Sequence, residues 1–372
     1  MKKSIVLIMI CSAFMNISCD GTQESNKKPS DPQATERAVS LYNRLFQLMD
    51  KGVMMGHQDD LAYGHQNYNP GASDVKEVTG DYPAVTGWEI GHLELGADRS
   101  LDSVYFDKMR EGIIETDARG GINTMSWHGD NIITGGSTWD CKGNDVVHSV
   151  LPGQPKHDEF IQWLDRLAAF FNTLKDKNGE YIPVVFRLYH EHNSSWFWWG
   201  AEQSTPEDYI AMWRMTVDHF RKAGVNHLLF AYSPSSCTDE AAYLERYPGD
   251  EYVDIVGFDI YQFGDDEAAI QNYCRDMKHN MDIVTKYAAK AGKIPTVSET
   301  GWEGIKQADY FTKVIAPLLE PYKISWILFW RNAWEPDKPG HFYLPYKGHE
   351  SAEDFKKMVS QPRFLMNQDI NN

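Results

Sequence analysis

Cysteine is scarce, and its spacing carries no motif. Five occur in 372 residues: Cys11, Cys19, Cys141, Cys237 and Cys274. None forms a C-x-x-C pair, so no thiol redox motif or zinc ribbon is encoded. The last three allow at most one disulfide, which excludes a disulfide-built scaffold. Long apolar runs are also missing: the run at 4–17 is too short to span a bilayer. Basic residues are outnumbered, 36 Lys and Arg against 53 Asp and Glu, for a net charge of −17. Such a chain repels nucleic acid, anionic membrane surfaces and polyanions such as uronic-acid polymers; a neutral partner fits better. No Gly-rich phosphate loop follows the first candidate strand, which counts against a doubly wound nucleotide-binding sheet. The zinc helix motif H-E-x-x-H starts at His190-Glu191, but Ser194 stands where its second histidine belongs. Neither a metal nor a cofactor is expected.

What is present begins with an export signal. Lys2 and Lys3 precede the apolar run, and Ser18-Cys19 ends it. This predicts a bacterial lipoprotein signal over 1–18, with lipidation at Cys19 and outer-membrane association, facing the periplasm or the cell surface. The polar residues 19–34 are expected to form a flexible tether, and 35–372 one catalytic domain that is a monomer.

Helical periodicity marks 33–50, 158–177, 206–223, 267–291, 306–320 and 351–360. Between these lie eight short runs rich in β-branched and aromatic residues: 52–58, 82–91, 120–128, 182–191, 227–234, 252–261, 294–301 and 324–332. Eight strands alternating with helices or loops predict an α/β fold, a single-domain (β/α)8 TIM barrel. Most runs start apolar and end in chemistry. His57, Trp88, Glu89, His128, His190, Glu191, Asp259, Tyr261, Glu299, Trp330 and Arg331 all sit late in a run. In a barrel those ends share the face where active sites lie. Asp59-Asp60 reads as a solvated turn, and His57 as barrel packing or a contact.

Glu191 on the fourth run and Glu299 on the seventh face each other across such a barrel. Paired carboxyls flanking one bond are what glycoside hydrolysis requires. The aromatics Trp196, Phe197, Trp198 and Trp199 follow Glu191, and flat rings stack on the apolar faces of sugars. Aromatics make up 13% of the chain, twelve of them Trp.

The segment RLYHEHNSSWFWWG (187–200) resembles the acid/base motif of glycoside hydrolase family 26, the β-mannanases. Arg187, His190, Glu191, Trp196, Phe197, Trp198, Trp199 and Gly200 match its pattern, and Ser194 replaces a usual Gly. VSETGW (297–302) is similar to the family's nucleophile segment, FDIYQ (258–262) to its sixth strand and ILFWRN (327–332) to its eighth. GHQDD (56–60) and YPAVTGW (82–88) resemble its first two strands. The resemblance runs over about 35–360 and implies a retaining β-1,4-mannanase acting on mannan, galactomannan or glucomannan. It makes Glu191 the acid/base and Glu299 the nucleophile. Tyr261 and His190 would hold Glu299, with His190 keeping it ionised; Trp330 would be the platform at the cleavage site, and Trp196 would line the leaving-group side. Trp88, His128, Asp259 and Arg331 are expected sugar contacts, with Arg187 supporting the site. The competing expectations are a mixed-linkage β-glucanase or β-xylanase of the same fold, a non-catalytic carbohydrate-binding protein, and a metal-dependent barrel hydrolase.

Overall fold

A computed structural model describes residues 27–143 and 145–371. The expected signal segment and Cys19 lie outside these. The eight apolar runs form one closed sheet in which every barrel pairing is parallel. Its strands 1 to 5 are Val53–Gln58, Val85–Glu89, Ile122–Ser126, Val184–Arg187 and Leu228–Tyr232. Strand 6 is interrupted (Ile255–Val256, then Asp259–Gln262), as is strand 7 (Ile294–Pro295, then Val297–Trp302); strand 8 is Trp326–Phe329. The lower halves of strands 6 and 7 pair at Ile255 and Ile294, the upper halves at Asp259 and Glu299. With strand 8 paired to strand 1, the ring is complete, and it is the expected (β/α)8 barrel.

Side chains alternate across each strand, so two cores form. Met54, Val85, Ile122, Val185, Leu229 and Leu328 fill the inside of the barrel. The helix Glu36–Lys51 plugs the N-terminal end. It starts at Thr35, whose hydroxyl accepts from the Ala38 N–H, and its Leu41, Leu45 and Leu48 join the inner core. The larger core lies between the strands and the outer helices.

Three expectations change. Residues 27–34 are not a free tether. Ser30 donates to the buried Asp254 through its N–H (2.5 Å) and hydroxyl (3.1 Å), and Asn226 donates to Asp31 at 2.8 Å. The helix expected over 158–177 spans His157–Phe171, because the Asp176 carboxylate accepts from the N–H groups of Asn178 and Glu180 and folds the rest into a turn. The helix expected over 306–320 is a π-turn, Phe311–Ile315, leading into Ala316–Leu319, where Pro317 has no N–H to continue the ladder. Phe106–Ala118, a barrel helix, escaped the periodicity because Gly112 interrupts its apolar stripe. A Cβ on Gly112 would lie 2.4 Å from the Trp88 ring, so close packing requires the glycine there.

Candidate active site

The alternation that builds the two cores also selects the site. On strand 4, Val185 and Arg187 point inward, and Phe186 packs in the outer core. On strand 7, Glu299 points inward, and the Thr300 hydroxyl turns to Tyr273 of the outer helix Glu267–Ala291. At the C-terminal mouth, inward residues from strands 3, 4, 6, 7 and 8 converge on a cleft of about 520 Å³. Of the residues expected from the sequence, Glu191, Glu299, His190, Trp196, Tyr261, Trp330, Asp259 and His128 line it.

Glu299 is held from two sides. Arg187 donates to its Oε1 and the Tyr261 hydroxyl donates to its Oε2 at 2.8 Å. The same guanidinium donates to Asp259 at 2.8 Å, and Asp259 also accepts from the Ser233 hydroxyl at 2.6 Å. Asp259 therefore positions Arg187. Its carboxyl is pushed well above the usual range by burial and by the Glu299 and Glu191 charges, against the pull of Arg187. His190, Asp259 and Glu299 offer donor atoms within 4.8 Å of one another, but Arg187 already supplies the positive charge that a metal would bring there.

Glu191 stands in a different environment. The chain turns sharply after strand 4, with Tyr189 at φ +40° and Glu191 at φ +52°, both in the left-handed region that non-glycine residues avoid. The Glu191 N–H is fixed by the Ser233 carbonyl at 2.8 Å, and the Ser194 hydroxyl closes the turn on the Glu191 carbonyl at 2.5 Å. The Trp196 indole donates to the Glu191 carboxyl at 2.6 Å. Burial, and then the Glu299 charge, raise the Glu191 carboxyl to about 7, with Trp196 and Arg187 pulling the other way.

His190 is buried and depressed well below its ordinary value, first by burial and then by Arg187. That depression favours the neutral ring, so any support it gives Glu299 comes through hydrogen bonding and not through a positive charge. His128 differs. Burial pulls it down, but the Glu89 carboxylate 2.7 Å away outweighs that, and its pKa is raised. Glu89 also accepts from the His128 N–H and the Ser126 hydroxyl.

Two expected contacts are not brought to the cleft. Trp88 is the outward neighbour of Glu89, is fully buried, and donates to Asn123 at 2.9 Å. Arg331 is the outward neighbour of Trp330, and its guanidinium is committed to Asp102 (2.9 Å), Glu335 (3.3 Å) and the Tyr63 hydroxyl (3.1 Å). Removing one partner of a buried ion pair costs about 3–5 kcal/mol. Arg331→Met is therefore expected to lower unfolding stability by roughly that amount in a urea titration. Unchanged stability with a raised KM would instead place Arg331 on the substrate. Asp59 and Asp60 are not a solvated turn either: both are buried, Asp59 accepting from Tyr63 at 2.7 Å and Asp60 paired with His57 at 2.8 Å. His57 is thereby barrel packing. Of the four rings after Glu191, Trp198 and Trp199 are core; Trp196 is 44% exposed and Phe197 lines the cleft.

The sequence placed Glu89 at a strand end without giving it a role, and it missed Trp139 and Tyr343. Counting by twos along strand 2 separates Glu89 from Trp88. Trp139 and Tyr343 sit in long loops with no periodicity to read. Trp139 stacks on His128 (5.5 Å between centroids), and Tyr343 lies over strand 7, where a Cβ on Gly301 would come within 2.4 Å of its ring.

The model of glycosyl hydrolase family 26 matches residues 30–318. The chain belongs to glycosyl hydrolase family 26. A mannan endo-1,4-beta-mannosidase from Bifidobacterium adolescentis is 32% identical over 95% of this chain. Another, from Caldalkalibacillus mannanilyticus, is 26% identical over 89% of it. The chain spans 37% and 63% of the length of these two relatives. Among solved structures, a family 26 beta-mannanase from Bacteroides ovatus superposes with a TM-score of 0.87 at 43% identity, over 90% of this chain and 96% of that one. The modular endo-beta-1,4-mannanase of Cellulomonas fimi gives 0.80 at 31% identity, over 92% of this chain and 78% of that one.

Proposed function

We propose that this family 26 protein is a retaining β-1,4-mannanase acting by double displacement. The observation that carries the reading is the contrast between two carboxyls facing one cleft. Glu299 is ion-paired with Arg187 and hydrogen-bonded by Tyr261, whereas Glu191 is raised to about 7. Environments that differ in this way assign an acid and a nucleophile. Glu191 gives its proton to the glycosidic oxygen as the C1–O bond breaks. Glu299 bonds to C1 from the opposite face, and the leaving chain departs as an alcohol. Glu191, now a carboxylate, takes a proton from water; the water oxygen attacks C1 and displaces Glu299. Two inversions give net retention. Mannan as the substrate is supported by the names of the relatives, and a neutral polymer suits the acidic chain.

Reducing ends released from galactomannan, barley β-glucan and xylan test the substrate. Manno-oligosaccharides are expected. Products from β-glucan or xylan alone would change the substrate, and binding without products would make the protein a capture module.

The acid must be protonated to act. The logarithm of kcat/KM is therefore expected to fall by about one per pH unit above the Glu191 value of about 7. A flat profile to pH 9 would contradict Glu191 as the acid. The sequence further supports export and anchoring through Cys19. Cys19→Ala is expected to move the protein from the membrane fraction to the soluble one; unchanged partitioning would remove the anchor.

A further inference from the structure

Five large apolar side chains are exposed among the described residues: Leu95, Ile133, Trp139, Trp196 and Phe263. Phe263 is the most exposed of them, at 84%, and it lines the cleft. It has no part in the chemistry assigned above. Trp139 and Trp196 line the same cleft, so three exposed rings surround one opening, and an apolar grouping of that kind marks a ligand site.

Strand 6 explains its placement. Residues 259, 261 and 263 share one face by the twofold alternation. Asp259 lies at the floor beneath Arg187, Tyr261 on the wall beside Glu299, and Phe263 at the rim just past the strand end at Gln262. The rim is fixed behind Phe263. Asp265 pairs with Lys306, and Asp266 caps the helix Glu267–Ala291 by accepting from the Ala269 N–H at 2.8 Å. Beside it stands a polar wall of Ser235, Ser236 and Asp276, also lining the cleft. That wall is tied to the acid's own loop. The Asn193 side chain accepts from the Ser235 N–H at 2.8 Å and donates to the Ser236 carbonyl at 3.0 Å, and Asn280 donates to the Ser236 hydroxyl at 3.0 Å.

Direction follows from the ring order. Glu191 on strand 4 and Glu299 on strand 7 divide the mouth into two arcs. One arc holds Trp330 and His128, from strands 8 and 3. The other holds strands 5 and 6, with Ser235, Ser236 and Phe263. A linear chain crossing between the carboxyls lies over both arcs. If Trp330 underlies the sugar that is attacked, as the family resemblance implies, the arc of strands 5 and 6 receives the leaving part. We propose that Phe263 is a stacking platform for the second sugar on the leaving-group side. Its ring would take the apolar face of that unit while the serine and aspartate wall takes hydroxyls. It would thereby set where along the chain the bond is cut. This rests on the mannanase reading for the identity of the sugar and for the placement of Trp330 beneath the sugar that is attacked.

The test compares two substrates in wild type, Phe263→Ala and Phe263→Trp. Mannohexaose reaches the second leaving-group position; an aryl β-mannobioside, whose leaving group is a single phenol, does not. Phe263→Ala is expected to lower the kcat/KM ratio of mannohexaose to aryl substrate by roughly 3- to 10-fold. It should also shift the cleavage pattern of mannohexaose, and Phe263→Trp should restore both. An unchanged ratio, whether neither rate or both rates fall, would overturn the platform. A wild-type enzyme active on β-glucan alone would overturn the substrate. The same ratio measured with cello-oligosaccharides would then decide for or against Phe263.

Discussion

Glu299→Ala is expected to lower kcat on mannan by about 10⁵-fold or more, because removing a covalent nucleophile leaves only binding and proton donation. The fold should survive, since Arg187 keeps Asp259 as its partner at 2.8 Å. The vacated volume beneath C1 is then open to a small anion. Azide added with an activated aryl β-mannoside should attack from the Glu299 face and restore turnover, with Glu191 unneeded for such a leaving group. One inversion instead of two makes the product an α-mannosyl azide. A β-azide from this variant, or activity within tenfold of wild type, would remove Glu299 from the nucleophile role.

Glu191→Ala should separate substrates by their need for a proton. On mannan the loss is expected at about 10²–10⁴-fold, the usual contribution of a general acid. A dinitrophenyl leaving group needs no proton, so the first step should persist and the covalent intermediate accumulate, seen as a burst. Azide should then resolve the intermediate from the face Glu191 served, giving a β-mannosyl azide. Equal losses on both substrates would contradict the acid role.

The same carboxyl leaves a mark on stability. Its folded value of about 7 lies above the ordinary 4.5. Below pH 4.5 it is protonated in both folded and unfolded chains and contributes no penalty. Between 4.5 and 7 the unfolded chain ionises first, and the folded state loses stability as pH rises. Above 7 the loss is complete, on the order of 3 kcal/mol. Glu191→Gln keeps an acceptor for the Trp196 indole and removes the charge. It should raise the melting temperature by several degrees at pH 8 and leave it almost unchanged at pH 4.5. A gain equal at both pH values would point to packing instead.

Much of this site was legible because strand ends in a barrel meet in space while lying far apart in sequence. The convergence of Glu191, Tyr261, Glu299 and Trp330 followed from that rule, and their separate roles from the resemblance to family 26. Two of the errors share one cause. A position late in a strand was taken as enough, but only alternate residues face the interior. Trp88 and Arg331 are each one residue out of phase with the true inward neighbours, Glu89 and Trp330. The depression of His190 comes first from burial and then from Arg187 beside it, a tertiary environment that no local pattern encodes. Trp139 and Tyr343 stand on loops placed by tertiary packing, where sequence periodicity says nothing. The turn at 172–181 was hidden similarly, since the Asp176 carboxylate competes with the helix through side-chain acceptance.

The most direct measurement of the central claim is proton NMR of the anomeric signals during the first minutes of manno-oligosaccharide hydrolysis, before mutarotation mixes them. Double displacement through Glu299 predicts that the β-anomer of the new reducing end appears first and the α-anomer grows later. An α-anomer formed first would mean a single displacement by water and would contradict Glu299 as the nucleophile.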